Sequence, residues 1–143
     1  MFQTFTTAPP LTALRNRILS GLPHEDYERL APRLEYVEMS LGEVLYHPTD
    51  RIRHVYFPCS GTISLTSVTA DGAETEVGMV GWEGALGLPL VLGAESVPLK
   101  AVVQVAGTSA RIRADVFKEE MSRCGDLQRL LLKYAQAFFV QTA

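Results

Sequence analysis

The feature that most constrains the fold is a series of short segments with a two-residue hydrophobic period between residues 35 and 113. Turn residues separate these segments, among them Gly42, Ser60-Gly61 and Asp71-Gly72. β-Branched and aromatic residues are frequent within them, and short strands at this spacing are typical of antiparallel rolls, barrels and sandwiches. Asp71-Gly72, which lies between two alternating segments, predicts a two-residue hairpin turn. We therefore expect residues 35–113 to form an antiparallel β-roll or jelly roll.

Helical periodicity appears on both sides of the predicted roll. Residues 12–33 predict N-terminal helices, the first of them capped by Thr12, and residues 114–143 predict two C-terminal helices, the last capped by Asp126. The polar first ten residues predict a loose arm at 1–10. A chain of 143 residues fits one domain, so residues 1–143 are expected to form a single unit, mainly β with flanking helices.

Composition excludes several classes of protein. No apolar run reaches the roughly 18 residues that a membrane span needs, and the N-terminus has no signal-peptide pattern. The two cysteines, Cys59 and Cys124, are too few for a disulfide scaffold and suit a reducing cytoplasm. The net charge is −3, and no dense Lys/Arg cluster indicates a nucleic-acid surface. We expect a cytoplasmic protein that contacts neither a membrane nor, through these residues, DNA.

The last helix is apolar around nearly its whole circumference. Leu127, Leu131, Tyr134 and Phe138 form one stripe with 4-3-4 spacing. Such a helix is either sunk in the core or shared with a partner, because it cannot turn one face to water. The spacing favours a dimer helix of the coiled-coil type, so these four residues are the predicted interface of a homodimer.

Several stretches resemble, in the same order, the sensor domain of the Crp/Fnr family of bacterial transcription regulators, which has the cyclic-nucleotide-binding-domain fold. These stretches are Leu41–Pro48, Ile52–Leu65, Thr69–Glu76, Gly81–Gly93 and Asp126–Ala143. The resemblance covers about residues 14–143. It implies a β-roll sensor that signals through a dimer helix. It also implies that DNA contact is made only through a C-terminal helix-turn-helix domain, which these 143 residues do not contain.

The same resemblance locates a ligand pocket. In responsive relatives, a Glu after a Gly holds the ribose, and an Arg followed by Ser or Thr holds the phosphate. Here Gly87 resembles that glycine, but Leu88 stands where the carboxylate would be. Lys100-Ala101, or Leu99-Lys100 if the register slips by one, stands where the Arg-Ser pair would be. Two missing charge-assisted contacts cost about 3–6 kcal/mol, a factor of hundreds to tens of thousands in affinity. Ordinary cAMP or cGMP binding is therefore disfavoured, and no cofactor is expected.

Other interpretations of these residues stay open. The candidate ligand-pocket residues are Glu83, Gly84, Gly87, Leu88, Leu99, Lys100, Ala101 and Thr142. Glu83 could be a solvated turn residue and Lys100 an exposed strand charge, while the two glycines could serve only the backbone. The leucines of the Gly81–Gly93 stretch are expected to pack on one another rather than on an apolar ligand.

No catalytic apparatus is visible in the sequence. Two cysteines cannot supply the four thiolates of an iron–sulfur cluster, and His47 and His54 are too far apart for the histidine pair of a cupin metal site. Haem ligation by these histidines or Cys59 is disfavoured. We therefore expect no enzyme and no metal site. The expected function is that of an effector-binding and dimerisation domain of a Crp/Fnr-type regulator, with a small-molecule effector. The alternative is a stand-alone interaction module that pairs through its last helix without a ligand.

Overall fold

The elements alternate as the hydrophobic pattern indicates, with helices before and after a run of strands. The computed structural model describes residues 5–7 and 10–142, with side chains from residue 12 to residue 140. In chain order the elements are β1 (Phe5–Thr7), α1 (Pro10–Ala13), α2 (Arg17–Ser20), α3 (His24–Leu30), β2 (Glu35–Met39), β3 (Val44–Tyr46), β4 (His54–Pro58), β5 (Thr62–Val68), β6 (Glu74–Val80), β7 (Lys100–Val105), β8 (Gly107–Arg113), α4 (Ala114–Met121) and α5 (Asp126–Thr142). Short 3-10 turns lie at Ala31–Arg33 and Leu88–Leu90.

The described strands form two four-stranded sheets. One sheet has the order β1-β2-β8-β4 and the other β3-β7-β5-β6, and every pairing is antiparallel. The two sheets enclose an apolar interior in which Phe57, Ile63 and Ile112 are fully buried. The antiparallel β-roll with flanking helices that the sequence predicts is confirmed.

The flanking helices cover the roll rather than standing apart from it. Leu19 on α2, Leu30 on α3, Phe117 on α4 and Leu131 on α5 are all 0–2% exposed and belong to the same core cluster as the strands. Each such side chain contributes about 1.5–3 kcal/mol when it is fully buried. The helices are therefore part of the same core as the strands, and their positions depend on the strand side chains that they cover.

The N-terminal predictions need two corrections. The loose arm expected at 1–10 contains a strand, because Phe5–Thr7 pairs with β2 in the register Phe5↔Val37. The first helix is not continuous from Thr12, which lies inside α1. Instead the chain turns and starts again at Asn16, whose side-chain oxygen accepts hydrogen bonds from the backbone N–H groups of Ile18 and Leu19 at 3.0 and 3.3 Å. An Asn cap therefore divides the predicted helix into two.

The hairpin at Asp71-Gly72 is longer than the two residues predicted. The last cross-strand pair is Val68↔Glu74, and Thr69 closes the loop by donating its backbone N–H to the Ala73 carbonyl at 2.9 Å. Gly72 has φ +89°, which a residue without a Cβ adopts readily. A turn followed by one left-handed glycine is the usual arrangement of a three-residue hairpin loop.

The stripe predicted as a dimer interface faces the roll. Leu131 is 0% and Leu127 7% exposed, while Tyr134 and Phe138 are half-buried against the core cluster. A 4-3-4 stripe follows one face of a helix, and the apolar roll offers that face a surface within the same chain. The assignment of these four residues to a free interface is therefore wrong. The exposed apolar residues of α5 are Leu132, Phe139 and Val140, at 44, 61 and 73%.

Candidate functional site

The segment Gly81–Gly93, here called the cassette, leaves β6 and crosses the end of the roll before the chain reaches β7. Leu86 forms a backbone bridge with Tyr56 of β4, with N···O distances of 2.9 and 3.0 Å in the two directions. Gly87 follows with φ +117°, and a Cβ there would lie 3.0 Å from Cγ2 of Val55. Glycine is therefore required by the backbone at this position, and the 3-10 turn begins directly after it.

Asn16 attaches the cassette to the N-terminal helices. Its side chain is fully buried, and its amide nitrogen donates to the carbonyl oxygens of Pro58 and Gly84 at 2.9 and 2.8 Å. The same side chain caps α2 through its oxygen. Arg17 adds a backbone hydrogen bond to the Trp82 carbonyl at 2.8 Å, and its guanidinium lies 4.7 Å from the centre of the Trp82 indole ring. The start of the cassette is thus held in one place by α2.

A cavity of about 270 Å³ lies between the cassette, the sheet β3-β7-β5-β6 and the C-terminal part of α5. Its lining is almost wholly apolar. The lining residues are Tyr46, Leu65, Val80, Ala85, Leu86, Gly87, Leu88, Pro89, Leu92, Ala94, Ser96, Val97, Leu99, Phe138 and Phe139. None of these described residues carries a charge, and the Tyr46 hydroxyl and Ser96 are the polar side-chain groups among them.

The structure brings together some of the predicted pocket residues and separates others. Gly87, Leu88 and Leu99 line the cavity. Lys100 points elsewhere, because its Nζ bonds to the Glu74 carboxylate of β6 at 3.3 Å. Glu83 turns back along the chain, where its Oε1 accepts from the Gly81 backbone N–H at 3.2 Å.

Three predicted residues remain. Gly84 and Ala101 are buried but do not belong to the lining. The side chain of Thr142 is outside the described residues. Leu99 lies on the cavity wall and Lys100 lies outside it. The Arg-Ser position was aligned either with Lys100-Ala101 or with Leu99-Lys100, and neither alignment brings a cation to the cavity.

The two glycines Gly78 and Gly84 receive aromatic rings of α5. A Cβ at Gly84 would lie within 2.3 Å of three atoms of the Tyr134 ring and hydroxyl, and a Cβ at Gly78 would lie 2.5 Å from Cζ of Phe138. Gly84 therefore makes room for Tyr134, and its backbone N–H donates to the Gly81 carbonyl at 3.1 Å. Because Phe138 also lines the cavity, α5 touches the site at both the cassette and the cavity wall.

The tyrosines of the site are held in their neutral form. Burial raises the pKa of Tyr46 to about 12. Burial also raises the pKa of Tyr134, and the nearby Glu83 carboxylate adds to the rise. Tyr46 separates this cavity from a second one, because it lines both.

A second cavity, of about 380 Å³, lies at the other side of Tyr46 and is polar. Arg51, Arg53, His54 and Arg111 line it together with Asp50. Its buried guanidinium is already bound, since Nε of Arg111 donates to Glu35 at 3.0 Å. Burial and the Arg111 charge lower the pKa of His54, which favours its neutral form. The lining is therefore net positive, although Arg111 is paired with Glu35 and Arg51 lies 3.6 Å from Glu95, both outside the lining.

The described part of the chain holds no group of three or more His, Cys, Asp or Glu residues placed to bind a metal ion. His47 is exposed and His54 contacts Glu35 at 3.6 Å. Cys59 is buried, which raises the pKa of its thiol. No described helix is both long and apolar enough to cross a membrane.

Sequence reasoning missed most of the cavity lining and the residue that attaches the cassette to α2. Asn16 carried a signal, because Asn before an apolar helical stretch is a preferred cap. Ala85, Tyr46 and Phe139 carried none, since each is an ordinary apolar or aromatic residue until the fold brings it to the cavity wall.

Comparisons with known proteins agree with this geometry. The family described as cyclic nucleotide-binding domain matches residues 36–124. A cyclic nucleotide-binding domain from Methylobacillus flagellatus superposes with a TM-score of 0.80 at 11% identity, over 98% of this chain and 85% of that chain. The N-terminal domain of a transcriptional regulator from Streptomyces coelicolor gives a TM-score of 0.64 at 17% identity, over 92% and 95%.

A third similar structure is a mutant regulatory subunit of a cAMP-independent protein kinase A from Trypanosoma brucei, bound to cAMP. Its TM-score is 0.70 at 16% identity, over 89% of this chain and 44% of that one. The present chain thus spans less than half of that protein. No curated protein sequence matches the chain significantly.

Proposed function

The chain belongs to the cyclic nucleotide-binding domain family, and we propose that it is the effector-binding and dimerisation domain of a Crp/Fnr-type transcription regulator that does not respond to ordinary cyclic nucleotides. One observation carries the proposal: a ligand-sized cavity lies between the cassette and α5, and its described lining has no charge. A domain of this family is regulatory rather than catalytic, and no enzyme activity or cofactor is proposed.

The first support is the chemistry of the lining. A cyclic phosphate keeps its charge when it is buried and needs a fixed cation or several N–H donors. Leu99 and Leu88 occupy the wall, and the ammonium of Lys100 is bound to Glu74 outside it. The two lost charge-assisted contacts correspond to about 3–6 kcal/mol, which moves a micromolar ligand into the millimolar range or beyond.

The second support is the contact between the cavity and α5. Tyr134 is seated on Gly84 of the cassette, and Phe138 is seated on Gly78 and lines the cavity. A ligand that displaces the cassette or the Phe138 ring therefore changes the seat of α5. A ligand that prefers one arrangement of α5 shifts the population toward it, which is how a sensor domain passes on its state.

The proposed dimer uses the outer face of α5 rather than the stripe predicted from the sequence. Leu132 and Phe139 are seven residues apart, and Val140 lies beside them, so the three exposed residues fit the repeat of a two-helix seam. In such a regulator a separate helix-turn-helix domain contacts DNA, so we assign no DNA contact to these 143 residues. The similarity to the N-terminal domain of the Streptomyces coelicolor regulator is consistent with this role.

Titration calorimetry with cAMP and cGMP tests the ligand part of the proposal. We expect no heat of binding to the wild-type domain up to about 1 mM of either nucleotide. A Kd of about 1 mM corresponds to a binding free energy of about −4.1 kcal/mol. The double variant Leu88→Glu, Leu99→Arg places a carboxylate and a guanidinium on the wall and should gain measurable binding. The mutant Trypanosoma brucei subunit bound to cAMP carries, among three replacements, an arginine in place of a threonine. Micromolar binding to the wild-type domain would refute the proposal.

Sedimentation velocity tests the dimer part. We expect the wild-type domain to dimerise reversibly, and Leu132→Glu with Val140→Glu to yield monomers. Val105→Glu is the matched control, because Val105 is 51% exposed but lies on β7. If the α5 variant sediments as the wild type does, the outer face of α5 is not the interface. If the wild-type domain dimerises but no ligand changes the packing of α5, the alternative function is favoured, namely a stand-alone interaction module that pairs through α5 without a ligand.

A further inference from the structure

We propose, on the basis of the function proposed above, that the 270 Å³ cavity binds an uncharged and mainly hydrocarbon small molecule. The sequence pattern favoured a cassette packed on itself. The structure instead leaves space between the cassette leucines and α5, so a ligand class can be argued from the walls of that space.

The absence of charge in the described lining selects against ions. The charged groups nearest in sequence to the cavity wall are engaged elsewhere: Lys100 with Glu74 at 3.3 Å, Glu95 with Lys118 at 2.9 Å, and Glu83 with the Gly81 N–H at 3.2 Å. An anion or a cation that entered would lose its hydration and gain no counter-charge. Charge complementarity therefore assigns a neutral occupant.

The apolar character of the lining selects against sugars and nucleosides. A ribose has several hydroxyl groups, and each must exchange a hydrogen bond to water for one to the protein when it is buried. Besides backbone groups, the described lining offers only the Tyr46 hydroxyl and Ser96, and Ser96 is exposed. A hydrocarbon gains from the same surface, because burying apolar surface is favourable without any hydrogen-bond partner.

The dimensions limit the ligand further. A dry apolar cavity of about 150 Å³ accepts one benzene ring, so a space of about 270 Å³ is larger than one ring needs. A chain or ring system of about ten carbon atoms fits this space. Tyr46 lines this cavity and the polar cavity on its other side, and it stays neutral beside the ligand because burial raises the pKa of its hydroxyl to about 12.

The ligand would also contact the helix that carries the signal. Phe138 and Phe139 line the cavity from α5, while Leu86 and Leu88 line it from the cassette. An apolar molecule between them would join these two elements by contacts that water does not make. The neutral ligand is therefore placed where its presence changes the packing of α5.

Fluorescence titration with N-phenyl-1-naphthylamine, a neutral apolar probe, tests the proposal on the 143-residue domain. The probe is then displaced with 1-decanol and, separately, with decanoate, which has the same chain but carries a charge. Leu99→Arg places a cation on the wall, and Leu88→Trp fills the cavity without a charge. Leu41→Arg and Val105→Glu are controls, because both residues are exposed and lie outside the lining. Circular dichroism checks that each variant is folded.

We expect saturable binding of one probe per chain and displacement by decanol at a concentration at least tenfold lower than by decanoate. Binding should weaken at least tenfold in both wall variants and stay within twofold of wild type in both controls. Absence of saturation, equal displacement by the two competitors, or unchanged binding in the folded wall variants would overturn the neutral ligand. These outcomes leave the cyclic nucleotide titration unaffected, whereas micromolar cAMP binding would refute the proposed function itself.

Discussion

Replacing Asn16 by Ala should be among the most destabilising single changes outside the apolar core. Asn16 is the only asparagine in the sequence, and its buried side chain makes four hydrogen bonds. Two of them are accepted from the first turn of α2, and two are donated to the carbonyl oxygens of Pro58 and Gly84. Alanine removes the cap of α2 and leaves both carbonyl oxygens without this donor.

The expected cost follows from these contacts. Loss of an N-cap costs about 1 kcal/mol. A buried acceptor left without its donor costs about 1–3 kcal/mol, and here there are two. Because water can enter part of the space and the terms are not additive, we expect Asn16→Ala to lower the free energy of unfolding by about 3–5 kcal/mol. Asn16→Ser can still cap α2 but cannot reach both carbonyls, so it should be less destabilising by about 1 kcal/mol.

Urea denaturation followed by circular dichroism and by Trp82 fluorescence measures these differences. Trp82 is the only tryptophan and stacks on Arg17 in α2, so its signal reports directly on the contact between α2 and the cassette. Coincident transitions from the two signals support a two-state analysis. Ser20→Ala is the control, because the Ser20 hydroxyl bonds only to the Arg17 carbonyl at 3.1 Å on the exposed side of the same helix.

Two outcomes would contradict the role given to Asn16. A loss below about 1 kcal/mol for Asn16→Ala would mean that the two carbonyl oxygens do not depend on the amide. Equal stability of the wild type and the Ser variant would mean that only the cap matters. In either case the cassette would be positioned by the backbone bridge between Leu86 and Tyr56 and by the cavity walls rather than by Asn16.

Two further changes test the seat of α5 and the burial of Tyr46. Gly78→Ala puts a Cβ 2.5 Å from Cζ of Phe138, so it should cost about 1–3 kcal/mol and speed hydrogen exchange in α5. Val77→Ala, at the exposed neighbouring position of β6, is the control and should leave exchange in α5 unchanged; equal effects of the two variants would exclude the proposed seat. Folding raises the pKa of Tyr46 from 10.0 to about 12, so the stability linked to this group is complete below pH 10 and is lost as the pH rises to about 12. In urea denaturation at alkaline pH, Tyr46→Phe should reduce the pH-dependent loss of unfolding free energy by about 2–3 kcal/mol. The part of the loss that is due to Tyr134 should remain. If the pH dependence of stability does not change, Tyr46 is solvated.

Much of the fold could be predicted because it depends on local patterns. The period-two alternation from residue 35 to residue 113 identified the region of the strands, and the helical period identified α3, α4 and α5 within one or two residues. The failures at the N-terminus have one local cause. Thr12 and Asn16 are both suitable caps, and only the buried carbonyl oxygens of Pro58 and Gly84, distant in sequence, decide between them.

The candidate site was predictable in its location but less so in its members. The resemblance placed the cassette and the start of β7 beside one another, and the structure does so too. Strand alternation then decides that Leu99 faces the cavity and Lys100 faces Glu74. The sequence alone left the register of this strand uncertain by one residue. A shift of one residue would replace a leucine by a cation on the cavity wall. Which side chains of the strand face the ligand therefore depends on its register, and the hydrophobic pattern alone did not determine that register.

The wrong assignment of the α5 interface has a more general physical reason. Periodicity shows that Leu127, Leu131, Tyr134 and Phe138 share a face, but it does not show what covers that face. The decisive residues are Gly78 and Gly84 on other elements, which lack side chains and so open the space for the two rings. Because a glycine contributes nothing to a hydrophobic pattern, this docking surface is invisible in the sequence of α5 itself. Once the aromatic stripe is seated there, Leu132 and Val140 stay exposed on the other side of α5.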